Sequence, residues 1–194
     1  MSSTIKIAIF ASGSGSNAEN IANYFSSNSN IIIDSIYTNK SDAFVIERAK
    51  KLSIPCYYFP NQDFRQGDAL LVKLQERNID FIVLAGFLLR IPENILGEFP
   101  NKILNIHPAL LPKYGGKGMY GDRVHQAVKE SGDKESGITI HYVNERYDEG
   151  ATIFQAKCEV LQNDNADDIA QKVHILEYEN FPKVIEDVIN EVFF

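Results

Sequence analysis

At 194 residues the chain is long enough to bury a proper core as one domain. Its 19 Lys and Arg against 26 Asp and Glu give a net charge of −7, and without a long basic run that balance argues against a nucleic-acid surface. No apolar run approaches the length of a membrane span, and Met1-Ser2-Ser3-Thr4 lacks the charged and apolar regions of a secretory signal; the cytoplasm is the expected compartment.

Ile5 to Phe10 is a short apolar run rich in β-branched residues, which predicts a buried first strand. Gly13-Ser14-Gly15-Ser16-Asn17-Ala18 follows and fits G-x-G-x-x-[GA] between a strand and a helix. Glycines let the backbone approach an anion, and free N–H groups at a helix start hold it, so a phosphate site is expected here. Asn17 is expected to cap the helix Ala18 to Phe25. A second strand spans Ile31 to Tyr37, and its end reads Thr38-Asn39-Lys40 with Asp34 too early. A nicotinamide dinucleotide wants an acidic residue at that end, and Gly-Lys-Ser/Thr of a P-loop is absent, so a simple phosphomonoester fits better.

Ser41 and Asp42 should open a helix from Ala43 to Leu52, Pro55 to Phe59 a third strand, and Asp68 to Glu76 a third helix. Phe81 to Ala85 is apolar enough for the sheet centre, and Leu88 to Pro92 is a loop before a short helix from Glu93. Ile103 to His107 comes next as a strand, with Asn105 and His107 on one face. Pro108 should end its pairing and leave His107 at the carboxyl end, where open α/β sheets bind ligands. An amide beside an imidazole there suits oxyanion stabilisation and proton transfer.

The stretch Lys113 to Gly121 is a glycine-rich loop, a candidate lid. Asp122 to Glu130 is helical, and strands Gly137 to Val143 and Thr152 to Val160 flank the polar loop Asn144 to Gly150, whose Asp148 could accept from an imidazole. Asp164 to Tyr178 is an amphipathic helix with Ile169, Val173 and Leu176 in register, and a separate last helix is expected from Pro182. Cys56 and Cys158 show neither C-x-x-C spacing nor a nearby His and are expected to be buried structural thiols. The alternation predicts an α/β fold: a doubly wound, mostly parallel Rossmann-like sheet with antiparallel additions at one edge.

Ser12-Gly13-Ser14-Gly15-Ser16-Asn17, Val83-Leu84-Ala85-Gly86-Phe87, Leu104-Asn105-Ile106-His107-Pro108 through Tyr114, the strand from Gly137, and Asp148 with Gly150 together resemble the phosphoribosylglycinamide formyltransferases, folate-dependent enzymes of purine synthesis. The likeness covers nearly the whole chain. It implies a single formyltransferase domain over residues 1–194, with the phosphate-binding half up to about residue 100 and the catalytic and folate-binding half after it. It implies transfer of the formyl group of 10-formyltetrahydrofolate, as co-substrate, to the amine of phosphoribosylglycinamide, with no metal and no ATP. Asn105, His107 and Asp148 would be catalytic, with Asp148 orienting His107 and raising its pKa. Gly15, Ser16, Asn17, His174 and Glu177 would bind phosphoribosylglycinamide. Arg65, Leu88, Leu89, Arg90, Ile91, Asn105, Asn144, Glu145, Arg146, Tyr147 and Asp148 would bind folate. Partners would be these small molecules, with no nucleic acid and no membrane, on a monomer or weak homodimer.

Three positions depart from the family pattern: Arg90 is displaced by one in the folate loop, the loop Gly115 to Gly121 is longer and richer in glycine, and position 174 is His. A formyltetrahydrofolate deformylase, using the same residues on water, is the nearest rival but would carry an added N-terminal module. A methionyl-tRNA formyltransferase would carry a C-terminal RNA-binding domain. A non-catalytic phosphate- or folate-binding module would not need Asn105, His107 and Asp148 together.

Overall fold

Every residue of β1 (Ile5–Phe10) except Lys6 is buried, which is what a strand covered on both faces requires. It runs parallel to β2 (Ile31–Thr38) on one side and β4 (Phe81–Leu84) on the other, and β2 is parallel in turn to β3 (Cys56–Tyr58). With β5 (Ile103–His107), β6 (Glu135–Tyr142) and β7 (Thr152–Glu159) the strand order is β3-β2-β1-β4-β5-β6-β7. The computed structural model describes residues 4–194; Met1-Ser2-Ser3, on which the reading of the amino terminus rests, lie outside the described residues. Two units follow from the contacts, one ending at Leu104 and the other spanning Asn105–Phe194.

In the first unit the helices are α1 (Ser16–Phe25), α2 (Val45–Lys51), α3 (Asn61–Gln66), α4 (Asp68–Glu76) and α5 (Glu93–Glu98). Phe10 packs its ring against Tyr37, Phe64 and Phe87, with centroids 5.2–5.5 Å apart, and this aromatic cluster fills the carboxyl end of β1. Asp34 is held in a fork by Arg77, with Nε at 2.5 Å and Nη2 at 3.1 Å. An aspartate committed in this way is structural, in keeping with its place inside the strand rather than at its end.

The second unit holds α6 (Asp122–Ser131), the antiparallel pair β6 and β7, and α7 (Ala166–Phe193). The antiparallel addition expected late in the chain is this pair. Ile138 and Ile140 of β6 and Ile169, Val173, Phe181, Ile185 and Ile189 of α7 are fully buried and form its core.

Several boundaries differ from the sequence reading. Asn17 does not cap α1: the helix begins at Ser16 after Gly15, without a side-chain cap, and Asn17 is a buried residue of its first turn. Asp42 does not open α2, which starts after Phe44. Helix α3 was not expected; Gly67 in the left-handed region separates it from α4 and hides the break in sequence. Pro182 does not start a new helix but lies buried within the 28 residues of α7. Proline removes one helical hydrogen bond; burial of Phe181, Val184, Ile185, Val188 and Ile189 on one continuous face outweighs it. Leu176 is only half-buried, and Glu177 takes the expected apolar place beside Val173. The two cysteines are free and half-buried rather than buried, and burial pushes both thiols up.

Candidate active site

β5 ends at His107, as Pro108 requires. Asn105 and His107 lie two apart and share a face. His107 is 4% exposed. Its Nε2–H donates to the Tyr114 carbonyl at 2.7 Å, since a carbonyl only accepts, and its Nδ1 lies 3.6 Å from Asp148 Oδ2. Asp148 sits in the loop after β6 with φ of +57°, an uncommon conformation for a residue with a side chain. Its Oδ2 accepts from the Gly116 N–H at 2.9 Å.

His141, near the end of β6, completes the group and was not singled out in the sequence. Its Nδ1–H donates to the Tyr142 carbonyl at 2.8 Å, which leaves Nε2 as acceptor for the Asn105 amide at 3.1 Å. The same Nε2 lies 3.7 Å from Asp148 Oδ1. The available signal was its alternation with Thr139 along an otherwise apolar strand: Thr139 is buried, donates to the Ala109 carbonyl and accepts from the Leu111 N–H, so that face of β6 carries polar groups toward the segment after β5.

Burial pushes the His107 imidazole down, and although Asp148 and the Tyr114 carbonyl act in the opposite direction, the net shift is downward. Asp148 does raise this pKa, as expected, but the cost of charging a buried ring outweighs it. Burial pushes Asp148 up, but the neighbouring His141 and His107 rings and the Gly116 N–H overcome it and hold the carboxyl below the usual range. At neutral pH the site thus pairs an ionised Asp148 with a neutral His107.

Of the loop residues, only Asp148 turns inward; Asn144, Glu145, Arg146 and Tyr147 are exposed, with Asn144 Oδ1 accepting from the Arg146 N–H and Arg146 paired to Glu149. On α7, His174 Nδ1 and Glu177 Oε2 are 2.8 Å apart, so the two residues engage each other. The hydrogen bond to Glu177 pushes His174 up against the opposing effect of burial.

In the first unit, Gly15 has φ of +73°, and a Cβ there would fall 2.3 Å from Val45 Cγ2. The turn can therefore approach α2 only with glycine. No side chain caps α1 at Gly15, and a helix start is a place where an anion can be held. Leu88 and Leu89 are half-buried, Ile91 is buried, and the displaced Arg90 is exposed with its guanidinium 3.6 Å from Glu93. Arg65 lies exposed on α3 without a charge partner among the described residues. No group of His, Cys, Asp and Glu among the described residues is arranged to hold a metal ion.

The formyl transferase family model matches residues 5–185. The chloroplastic phosphoribosylglycinamide formyltransferase of Arabidopsis thaliana is 42% identical over 96% of the chain and 66% of its own length. The phosphoribosylglycinamide formyltransferase of Haemophilus influenzae is 37% identical over 93% of the chain and 85% of its own. The crystal structure of the enzyme of that name from Bacillus halodurans superposes with a TM-score of 0.88 at 29% identity, covering 97% of this chain and 99% of that one. The chain spans less than two thirds of the length of the chloroplastic relatives it matches. With the matched sheet and an Asn, His and Asp brought together at the end of β5, the chain belongs to the formyl transferase family, in its phosphoribosylglycinamide formyltransferase branch.

Proposed function

We propose that this chain transfers the formyl group of 10-formyltetrahydrofolate to the amine of phosphoribosylglycinamide, a step of purine synthesis. The observation that carries the reading is the arrangement of Asn105 and His107 around Asp148 and His141 at the carboxyl end of β5. The amine attacks the formyl carbon and a tetrahedral oxyanion forms. Asn105 spends one amide hydrogen on His141 and offers the second to that oxyanion. His107 donates as well, at the atom now engaged by the Tyr114 carbonyl, and acts as general acid. Because His107 is neutral at rest with its proton on Nε2, that proton is the one delivered to the departing folate nitrogen, and the proton released by the attacking amine is taken up at the free Nδ1 beside Asp148. Asp148 orients the ring and stabilises the imidazolium formed between the two transfers, with a water relay as its second route. No step calls on a metal or ATP.

Gly15, Ser16 and Asn17 would take the substrate phosphate on the amides of α1, and Glu177 would accept from ribose hydroxyls, with His174 beside it. The backbone of Leu88, Leu89, Arg90 and Ile91, with the loop Asn144 to Asp148, would read the folate pteridine, and Arg65 would meet its acidic tail. The reading extends to a cytoplasmic monomer or weak homodimer.

The test is formyl transfer followed by absorbance, with His107→Ala beside the wild type. Activity that collapses in the variant supports reaction and site together. Amine-independent release of formate moves the reading to a deformylase. Absence of turnover, with folate binding retained, leaves a binding module and overturns the mechanism.

A further inference from the structure

Ser12 precedes the glycine loop and is 1% exposed. Its Oγ–H donates to Asn39 Oδ1 at 2.6 Å and its Oγ accepts from the Leu88 N–H at 3.0 Å. Its own N–H donates to the Gly86 carbonyl at 3.1 Å. Asn39 in turn donates through Nδ2 to Asn61 Oδ1 at 2.8 Å, at the start of α3. Two hydrogen bonds from one residue thus grip the chain on either side of Phe87, where it leaves β4 and Gly86 turns through φ of +74°.

We propose that Ser12 is a positioning residue that fixes the backbone of the loop 86–91 for binding the formyl-folate, with Asn39 holding its hydroxyl rotor. The proposal rests on the reading of Leu88 to Ile91 as the folate-binding loop. A hydroxyl is the smallest side chain that both donates and accepts. Its donor is committed to Asn39, because the amide oxygen only accepts, and its lone pairs are thereby turned toward Leu88. Asn61 completes the series by fixing which way the Asn39 amide faces. The series explains why the polar Asn39 is buried at the end of β2 without an anionic partner. It also gives the serine of the Ser-Gly-Ser-Gly motif a purpose apart from the phosphate: the loop for one substrate is set by a residue adjoining the loop for the other.

The experiment measures 10-formyltetrahydrofolate binding by calorimetry, steady-state constants for both substrates, and amide hydrogen exchange across residues 86–91. Ser12→Ala should raise Kd and KM for the formyl-folate on the order of tenfold and speed exchange in that segment, with KM for phosphoribosylglycinamide within about twofold of wild type. Ser12→Thr, which keeps the hydroxyl, should restore the folate constants. Should Ser12→Ala fail to fold, Asn39→Ala, which leaves the serine and removes its acceptor together with the bond to Asn61, carries the same expectation. If the wild type binds and transfers but Ser12→Ala matches it in folate constants and exchange, the proposal alone is overturned. A loss that falls equally on kcat and on both KM values, in step with a lower Tm, overturns it as well. A wild type that does not bind the formyl-folate overturns the reading of function and this proposal with it.

Discussion

The Asn105 amide donates to Nε2 of His141 at 3.1 Å, and that same nitrogen faces Asp148 Oδ1 at 3.7 Å. The orientation of the amide proposed as oxyanion donor on β5 is therefore set from β6. Replacing His141 by Asn should lower kcat about tenfold, whereas Asn105→Ala should lower it on the order of a hundredfold. In the double variant the losses should not add, because both act on one amide. Single-turnover kinetics of the four proteins measure this coupling, and strict additivity would contradict it.

His107 also links the site to the stability of the fold. Its imidazole takes up a proton near pH 6.5 when unfolded and only at lower pH when folded. Between those values unfolding binds the proton, so stability rises with pH across this window. The contribution is fully present at pH 7 and is lost as acidification carries the protein through the folded pKa. Thermal unfolding at pH 7 and pH 5 should show a smaller fall in Tm for His107→Asn than for the wild type. His174 carries the opposite sign, its raised pKa favouring the fold below pH 6.5, so the difference between variant and wild type is the quantity to compare.

The pairing of His174 with Glu177 gives a site-resolved prediction. Glu177→Gln keeps the shape of a side chain only 6% exposed and removes its charge. The His174 imidazole should then titrate at lower pH, read by its ring proton resonances, and KM for phosphoribosylglycinamide should rise. An unmoved titration would mean that the carboxylate does not govern the imidazole.

Two glycines separate steric from conformational cost. A Cβ on Gly150 would lie 1.7 Å from the Tyr142 carbonyl, whereas at Gly118, with φ of +92°, nothing lies within 4 Å. Gly118→Ala should cost about 1 kcal/mol from backbone conformation alone. Gly150→Ala should cost about 2 kcal/mol or more, because a backbone atom must move. Urea denaturation compares them, and equal losses would contradict the packing argument.

Much of this arrangement was legible in the chain because short-range rules governed it. Pro108 ended β5 at His107, and apolar runs marked β1 and β4. Where reading failed, distant contacts outweighed local signals. Pro182 reads locally as a helix start, but the buried face from Phe181 to Ile189 keeps α7 unbroken. Asn17 has the chemistry of a cap, yet the close approach of Val45 to Gly15 moves the helix start forward. His141 was hidden because its role depends on what β6 faces, which no periodicity records. The net shift of His107 was not legible for the same reason: the carboxylate that raises its pKa could be named from the sequence, but the burial that outweighs it could not.

His141 stands near the end of β6 and Asp148 within the loop that follows, and the passage of Gly150 against the Tyr142 carbonyl closes that loop on itself. Adding or deleting a residue between them would shift the carboxylate relative to the ring it faces. Descendants that keep the chemistry must therefore keep the spacing from 141 to 148, and with it the path of the exposed residues 144–147.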